Sequence, residues 1–383
     1  MNVLSPLPKR TSRLKLYKVP LCMIFSFLLG CMFAFSIVPI DKTCRIENAD
    51  IEYNIMKNSK LKNPELIILI LSAPKNVERR NVARETWLPL KDRGQENIQD
   101  SKKFKVKHFF VIGNLGLNSN EHFNLNVEQI KYNDILLLPI QDTYQHLTLK
   151  VLKSFTWINE QFDFGLDFKY VLKCDDDSFV RVDNLIHEIQ SIELLYLKSK
   201  LSSVIKISEE NKSPYIQTNI QINNNETVKN LSIYWGYFDG RATIKKHGKW
   251  KEENWIACDR YIPYALGGGY ILSKNLITYI AKNVDYLRMY NSEDVSIGLW
   301  LSTVTNILRI HDVRFDTEWA SRGCQNFYLI SHKLSAKNMR DMTSNLKQNN
   351  FLCTKEQFIR NFYRYNWSAL PSQCCNIKKK ITL

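Results

Sequence analysis

Three consecutive carboxylates, Asp175 to Asp177, are the residues of this sequence whose spacing most directly suggests chemistry. They follow Tyr170 to Leu172, an apolar run with the composition of a buried strand. Adjacent acids repel one another, so grouping them costs stability unless a cation lies among them. Mg²⁺ and Mn²⁺ prefer such hard oxygen ligands and can complete their shells with phosphates. The pattern therefore predicts a metal site for a nucleotide diphosphate, with a solvated loop or a helix N-cap as the common alternative.

A second pair of acids, Glu293 and Asp294, opens an apolar helical pattern that runs from Val295 to Leu301. Ser292 can cap this helix, and the helix dipole favours acids in the first turn. Capping is therefore the alternative to catalysis for this pair.

Three other features could contribute to a binding site. His332 follows an apolar segment and could supply a nitrogen ligand to the metal, although a lone histidine is more often structural. Three glycines, Gly267 to Gly269, precede a strand-like run and would let a ligand or another backbone come close, with a flexible turn as the alternative. Tryptophan rings could stack on sugars or fill the core: Trp235, Trp250 and Trp255.

The acids must be positioned by the elements around them, which alternate between strand-like and helical patterns. The predicted strands are Leu66–Leu71, Val106–Ile112, Ile135–Leu138 and the run from Tyr170, and the predicted helices are Glu78–Trp87, Leu147–Ile158 and Val182–Leu195. This alternation predicts an α/β fold with a mostly parallel sheet covered on both faces. Ligands of such sheets bind beyond the carboxyl ends of the strands, where the three Asp lie.

The N-terminal region predicts a membrane anchor. The chain of 383 residues has a formal net charge of +15, and residues 1–18 carry five cations and no acid. Residues 19–40 are uncharged and would span roughly 33 Å as a helix, enough to cross a hydrocarbon core. The positive-inside rule predicts a cytoplasmic tail, 1–18, and a single signal-anchor, 19–40, in preference to a cleaved signal peptide. Residues 41–63 are polar and are predicted to form a stem.

The remaining residues are expected to lie in a secretory lumen. Seven cysteines follow the apolar run, so some disulfides are expected and at least one thiol has no intrachain partner. Residues 64–376 are predicted to form the lumenal domain, and 377–383 a basic tail. Within the domain, residues 196–231 are predicted to be a glycosylated surface insertion, with sequons at Asn225 and Asn230.

Several of these motifs resemble the β1,3-glycosyltransferases of glycosyltransferase family 31, in the same order along the chain. They are Glu78–Trp87, Asp142–Tyr144 with Leu147–Lys150, the Asp run, the Gly triplet and Glu293-Asp294-Val295. Longer strings such as YIPYALGGGYILS and HDVRFDTEWASRGC resemble the members that build the proteoglycan linker. The likeness covers roughly Leu66 to Cys375, apart from the insertion. Cys174 departs from the pattern, and a thiol beside the metal site could make the protein sensitive to oxidation.

The resemblance implies a GT-A fold, Mn²⁺ as cofactor, UDP-galactose as donor, and inversion at the anomeric carbon. The implied acceptor is the Galβ1,4-xylose primer of proteoglycan core proteins, reached in the Golgi membrane, with no nucleic-acid partner. The implied metal ligands are Asp175, Asp176, Asp177 and His332, and the implied base is Asp294. The expected donor contacts are Arg79, Arg80, Arg84 and Asp142, and the expected acceptor or sugar contacts are Trp235, Gly267, Gly268, Gly269 and Glu293.

Two other functions remain open from the sequence. A family member that transfers N-acetylglucosamine would carry the same metal and base residues. An inert lumenal partner could keep the fold to bind glycans, although it would have little need of Asp177, Asp294 and His332 together.

Overall fold

The computed structural model describes residues 23, 26–29, 63–93, 95, 103–163, 167–201, 214–219 and 232–375, and the side chains among these except those of 162–163 and 195–201. The chain divides into two units, 1–60 and 61–383, and the fold below is that of the second. The predicted tail 1–18, nearly all of the stem 41–63, most of the anchor 19–40 and the tail 377–383 lie outside the described residues. No described helix has both the length and the apolar composition that a membrane crossing requires.

The unit is a mixed α/β structure. Its strands are β1 Leu66–Leu71, β2 Val106–Leu115, β3 Ile135–Gln141, β4 Tyr170–Asp175, β5 Phe179–Val180, β6 Ile216–Thr218, β7 Ser232–Asp239, β8 Tyr264–Ser273, β9 Ile307–Asp312, β10 Phe315–Asp316, β11 Gly323–Cys324, β12 Ile330–Ser331 and β13 Gln357–Phe358. Its helices are α1 Val77–Glu85, α2 Ser119–Tyr132, α3 Leu147–Asp163, α4 Val182–Leu201, α5 Lys274–Lys282, α6 Glu293–Trp300 and α7 Ala336–Asn349. Short 3₁₀ turns occupy Leu88–Asp92, Tyr144–His146, Val284–Tyr286 and Pro371–Gln373.

Eight of the described strands form one large sheet in the order β3-β2-β1-β4-β8-β7-β9-β6, and β11 and β13 form a separate pair. The first four strands are parallel, and β1 lies between β2 and β4. Every residue of β1 is buried, as its unbroken apolar sequence requires of a central strand covered on both faces. The register pairs Leu71 with Asp175, so β4 delivers its acids at the carboxyl edge of the parallel half.

A small second sheet, β10-β12-β5, completes the surroundings of the acids. Strand β12 pairs antiparallel with β5, and Ser331 lies opposite Phe179. This pairing brings the loop after β12 beside the loop after β4.

The sequence-based elements are largely confirmed in the N-terminal half, where β1 to β4, α1, α3 and α4 all form. The prediction of a mostly parallel sheet is wrong beyond β4, because β8 runs antiparallel to both β4 and β7. The glycine triplet lies inside β8 rather than before a strand. Part of the predicted insertion belongs to regular structure, since residues 196–201 end α4 and β6 pairs with β9 at the sheet edge. Asn225 and Asn230 lie outside the described residues.

The C-terminal segment packs on the sheet. The hydroxyl of Tyr363 donates to the carbonyl oxygen of Phe238 at 2.8 Å, and its ring lies 4.8 Å from that of Tyr237. Trp367 packs edge-on against Phe238 as well. Two disulfides lie in this part of the chain, Cys324–Cys353 and Cys374–Cys375, as a secretory compartment permits.

Candidate active site

The metal-ligand candidates Asp175, Asp177 and His332 form one cluster. His332 Nε2 lies 3.0 Å from Asp177 Oδ1 and 3.3 Å from Asp175 Oδ2. One ligand atom from each residue lies within 4.8 Å of the others. The β1–β4 register and the β12–β5 pairing produce this meeting of residues that are distant in sequence.

The cluster fits a divalent cation. His332 Nδ1 lies 3.2 Å from the carbonyl oxygen of Glu318, so Nδ1–H donates there and Nε2 faces the carboxylates, where loss of its proton would free a lone pair for a metal. Asp177 Oδ1 and His332 Nε2 are buried 3.0 Å from each other, and neither makes a well-aligned hydrogen bond to any described residue. Adjacent ligands of an octahedral ion with bonds of about 2.1 Å lie about 3 Å apart, which agrees with the spacing of these atoms. The two carboxylates suit Mg²⁺ or Mn²⁺, and the imidazole adds a nitrogen ligand of the kind that transition metals accept.

The titration behaviour of the cluster also reflects its need for a positive charge. Burial lowers the pKa of His332, but the adjacent carboxylates of Asp175 and Asp177 outweigh it and raise that pKa to about 9. Burial raises the pKa of Asp177, but His332 outweighs it and holds the value below the usual range. A proton on His332 and a metal cation are thus alternative ways of neutralising the same acids.

Gly268 makes room for His332. A Cβ at Gly268 would lie 2.5 Å from His332 Nδ1 and 2.9 Å from the carbonyl oxygen of Thr317. Both distances are shorter than van der Waals contact, so a side chain here would displace the imidazole. The glycine triplet therefore permits close packing against the cluster, as one of its two interpretations predicted.

The prediction of Asp176 as a metal ligand does not fit its position. The carboxylate turns away from the cluster and accepts hydrogen bonds from Ser72 Oγ at 2.7 Å, Asn76 Nδ2 at 2.8 Å and Arg79 Nη1 at 2.9 Å. Asp176 and Asp177 form a turn after β4, which is closed by the bond from the Ser178 N–H to the carbonyl oxygen of Asp175 at 3.1 Å, and this turn separates the middle acid from its neighbours. Asp176 instead ties the end of β4 to the loop before α1.

Lys173 was missed by the sequence analysis, although it interrupts an otherwise apolar strand. Its buried ammonium lies 3.1 Å from Asp175 Oδ1, forms an ion pair with Glu293 and donates to the carbonyl oxygen of Gly267 at 2.6 Å. Burial lowers the pKa of Lys173, but the attraction of Asp175 and Glu293 outweighs it and raises that pKa above the usual range. Burial raises the pKa of Glu293 to about 7 against the opposing pull of Lys173.

Asp294 lies at the start of α6, next to Glu293. Its Oδ2 accepts the N–H of Gly267 at 2.9 Å, and its Oδ1 accepts the N–H of Val295 at 2.9 Å. Burial raises the pKa of Asp294, and Lys173 and these hydrogen bonds oppose the rise. Ser292 occupies the N-cap position without a side-chain capping bond. These hydrogen bonds fix the orientation of the Asp294 carboxylate. Each of its oxygens keeps a free lone pair, so the carboxylate can still accept a proton.

The three arginines predicted to contact the donor have different environments. Arg79 lies beside the acid run with half of its side chain exposed. Arg80 has no exposed side-chain surface and forms a two-pronged pair with Glu128, at 2.8 and 2.6 Å, so direct donor contact does not fit its position. Arg84 is similarly paired with Asp134, at 2.8 and 2.7 Å.

Asp142 is also engaged by the fold. Its carboxylate accepts the N–H of Gly113 at 3.0 Å and pairs with Lys150 at 2.8 Å. The Lys150 ammonium also donates to the carbonyl oxygen of Ser72. These contacts join the carboxyl ends of β1, β2 and β3 to α3, which is a structural role.

Trp235 and His311 belong to the core. The Trp235 side chain is 1% exposed, and its Nε1–H donates to Asp312 Oδ2 at 3.0 Å, so it offers no free face to an acceptor. His311 is fully buried with its nitrogens on backbone groups of Phe238 and Tyr363, and burial lowers its pKa to about 3.

Two aromatic residues with accessible surface, Trp250 and Tyr144, lie in the electrostatic surroundings of Asp294. Trp250 is 38% exposed, and the Lys249 ammonium lies 4.3 Å from its ring centroid and 5.1 Å from that of Tyr144. Burial and the charge of Asp294 raise the pKa of Tyr144 to about 12. Asn291 Nδ2 donates to the carbonyl oxygen of Lys249 at 3.1 Å, which anchors this loop just before α6.

Cys174 does not fit a chemical role in this site, because it is fully buried and burial raises the pKa of its thiol above the usual range. A thiol held protonated is a poor nucleophile, so the expected sensitivity to oxidation is not favoured by its surroundings. The arrangement can therefore place a cation-bound phosphate group near a partly buried carboxylate, with Lys173 joining the two sets of acids.

Sequence comparisons place galactosyltransferases among the proteins that are similar to this chain. The family described as Galactosyltransferase matches residues 78–312. Beta-1,3-galactosyltransferase 6 of Mus musculus is 40% identical over 318 residues, which make up 82% of this chain and 84% of that protein. Hydroxyproline O-galactosyltransferase GALT5 of Arabidopsis thaliana is 27% identical over 82% of this chain and 37% of that protein. A solved glycosyltransferase involved in the glycosylation of the major capsid of PBCV-1 covers 73% of this chain and 99% of its own, with 13% identity and a TM-score of only 0.34.

Proposed function

The chain belongs to the galactosyltransferase family and is a glycosyltransferase, and from that premise we propose that it is an inverting β1,3-galactosyltransferase. The proposed donor is UDP-galactose, and the proposed acceptor is the Galβ1,4-xylose primer on proteoglycan core proteins. The observation that carries this proposal is the contact of Lys173 with both Asp175 and Glu293, which places the cation cluster close to the carboxylates of α6.

We propose that Mn²⁺ is held by Asp175, Asp177 and His332 in a GT-A fold. When bound, the ion offsets the negative charge that develops on the diphosphate as its bond to the sugar breaks. The protein residues fix the site: Glu318 orients His332, and Lys173 holds Asp175. Asp176 contributes by anchoring the end of β4 rather than by ligation.

Asp294 is the proposed base. The acceptor oxygen forms a bond to the anomeric carbon, the bond from that carbon to the β-phosphate oxygen breaks, and the electron pair stays on UDP. The acceptor hydroxyl proton passes to the Asp294 carboxylate. The hydrogen bonds from Gly267 and Val295 orient this carboxylate, and its raised pKa makes it a better proton acceptor than a solvated aspartate.

The proposed linkage draws on the similarity to the mouse relative, whose name specifies β1,3-galactosyl transfer. Trp250 and Tyr144 offer aromatic faces for a sugar close to Asp294.

The basic flank and the apolar segment 19–40 support a single-pass Golgi protein with a lumenal C-terminal unit. In sealed Golgi vesicles, added protease should leave that unit intact, and its digestion would contradict this topology.

The test of the function is a transfer assay on the full chain, with a panel of UDP-sugars and acceptors in the presence of Mn²⁺. Galactose added to Galβ1,4-xyloside in β1,3 linkage is the expected product. Faster use of UDP-N-acetylglucosamine or of a terminal N-acetylglucosamine acceptor would place the protein elsewhere in its family. Glycan binding without any transfer would indicate an inert partner.

A further inference from the structure

Lys333 has an unusual backbone conformation next to the cation cluster. Five non-glycine residues in the described part of the chain have positive φ, and four of them are asparagine: Asn63, Asn133, Asn306 and Asn350. Lys333 is the fifth, with φ of 62°. Asparagine tolerates the left-handed region, whereas a long side chain adopts it at a cost. Strained residues of this kind cluster at functional sites.

The surrounding backbone imposes this conformation. The residue before it, His332, donates its N–H to the carbonyl oxygen of Asp316 at 3.0 Å, and the residue after it, Leu334, donates to the carbonyl oxygen of Asp177 at 3.0 Å. Lys333 is therefore fixed between the small sheet and the acid run. Its side chain extends along the outer edge of the cluster as a result.

Asp177 separates the cluster from an exposed cationic edge. Its Oδ1 faces His332, while its Oδ2 lies 3.3 Å from the Lys333 ammonium and 3.9 Å from Arg79 Nη1. The side chains of Lys333 and Arg79 are 43% and 51% exposed, so both can still reach a ligand. An ammonium carries three donors, which leaves Lys333 able to bind a second anion beside Asp177.

From this geometry we propose that Lys333 is a further catalytic residue, which binds the diphosphate of the nucleotide-sugar donor and stabilises the charge on the departing nucleotide. This proposal rests on the proposed function. The electron pair of the broken bond ends on a phosphate oxygen, and a lysine beside the bound cation would be attracted more strongly as that charge grows. Neutralising the acid run is the simpler alternative role for Lys333.

The test is calorimetric binding to the full chain, first of Mn²⁺ alone and then of UDP in the presence of Mn²⁺. Lys333→Asn removes the charge but suits the left-handed backbone, and Lys333→Arg keeps the charge. Lys337→Asn is the matched control, since Lys337 is an exposed lysine at the start of α7. Thermal unfolding of each variant establishes that it is folded.

We expect Lys333→Asn to weaken UDP binding about tenfold or more without weakening Mn²⁺ binding. Lys333→Arg should retain most of the UDP affinity, and Lys337→Asn should match the unmodified chain. Unchanged UDP binding by Lys333→Asn would overturn the proposal. An equal loss of Mn²⁺ binding would also overturn it, by showing that Lys333 only positions Asp177. Absence of UDP binding by the unmodified chain would instead overturn the proposed function.

Discussion

The buried ammonium of Lys173 forms an ion pair with the buried carboxylate of Glu293, and this contact connects the end of β4 to the start of α6. Lys173 also reaches Asp175, so the pair links the candidate cation site to the helix that presents Asp294. A buried charge without its partner is costly, which makes the arrangement sensitive to either residue.

Replacement of Lys173 should therefore reduce stability severely. Lys173→Met leaves the buried Glu293 and the half-buried Asp175 without their cation, and we expect a loss of about 3–5 kcal/mol in the free energy of unfolding. Lys169→Met, which removes a half-exposed lysine just before the same strand, should cost about 1 kcal/mol or less. Denaturant unfolding of both variants checks this difference, and equal losses would contradict the role of the pair.

Substitution within the acid run should separate ligation from anchoring. Asp177→Asn should lose Mn²⁺ affinity and transfer while remaining folded, because it removes ligand charge from a repelling cluster. Asp176→Asn should mainly lower the melting temperature, because its carboxylate accepts three hydrogen bonds from the loop before α1 and from α1. Calorimetry with Mn²⁺ and thermal unfolding give the two readouts. Loss of metal binding in Asp176→Asn alone would refute the assignment.

Asp294→Asn should identify the base. Turnover should fall about 10²-fold or more, with UDP binding nearly unchanged, since an amide cannot accept the proton. The amide has one acceptor oxygen for the two N–H groups now bound, so a stability loss of about 1 kcal/mol is expected as well. Single-turnover transfer rates and UDP titrations measure the two effects. Normal turnover with a lower melting temperature would show that Asp294 only stabilises the start of α6.

Gly268→Ala should displace the His332 imidazole from its position in the cluster. The added Cβ would meet the imidazole and the backbone oxygen of Thr317, so we expect weaker Mn²⁺ binding. Gly269→Ala is the matched control, because its nearest contacts are the side-chain carbons of Ile330 at 3.0 and 3.2 Å. Metal titrations should show a larger loss for Gly268→Ala, and the reverse order would disprove the packing argument.

Protonation of Asp134 at low pH should lower the free energy of unfolding. Burial raises the pKa of this group, but hydrogen bonds from His108 and Arg84 outweigh it and lower the folded-state value from 3.8 to about 2. A depressed folded-state pKa gives stability that is present above the unfolded pKa near 4 and is lost as pH falls through about 2. Asp134→Asn should cost about 2 kcal/mol at neutral pH. The free energies of unfolding of the variant and the unmodified chain should converge as the pH falls from 4 to 2. A difference that does not change with pH would contradict the role of the Asp134 charge.

The local sequence pattern was sufficient to predict the parallel half of the sheet. Strands β1 and β4 are apolar runs, the first followed by Ser72 and the second by the acid run, so both could be recognised. The same logic placed Asp175 and Asp177 at a carboxyl edge. It could not show that Asp176 turns away or that Arg80 is buried, since both depend on partners distant in sequence, such as Ser72 and Glu128.

The C-terminal half was harder to predict because its pairings are non-local. Strand β8 lies between β4 and β7 in the sheet. The two-residue strand β12 can be recognised only from its pairing with β5, which is distant in sequence. Helices α2 and α7 begin with reciprocal caps, Asn118 with Glu121 and Ser335 with Asn338, which were overlooked. Lys173 carried a readable signal, since a lysine in a buried strand requires an acid partner.

The packing of Tyr363 and Trp367 against β7 has a consequence for how the protein is made. These residues leave the ribosome only after all strands of the large sheet, so the aromatic surface around Phe238 stays uncovered until late in translation. A nascent chain would expose that surface for many seconds at the usual rate of about 5–20 residues per second. Premature stop codons shortly before Tyr363 should therefore yield chains that chaperones retain, even though every candidate site residue has already been synthesised.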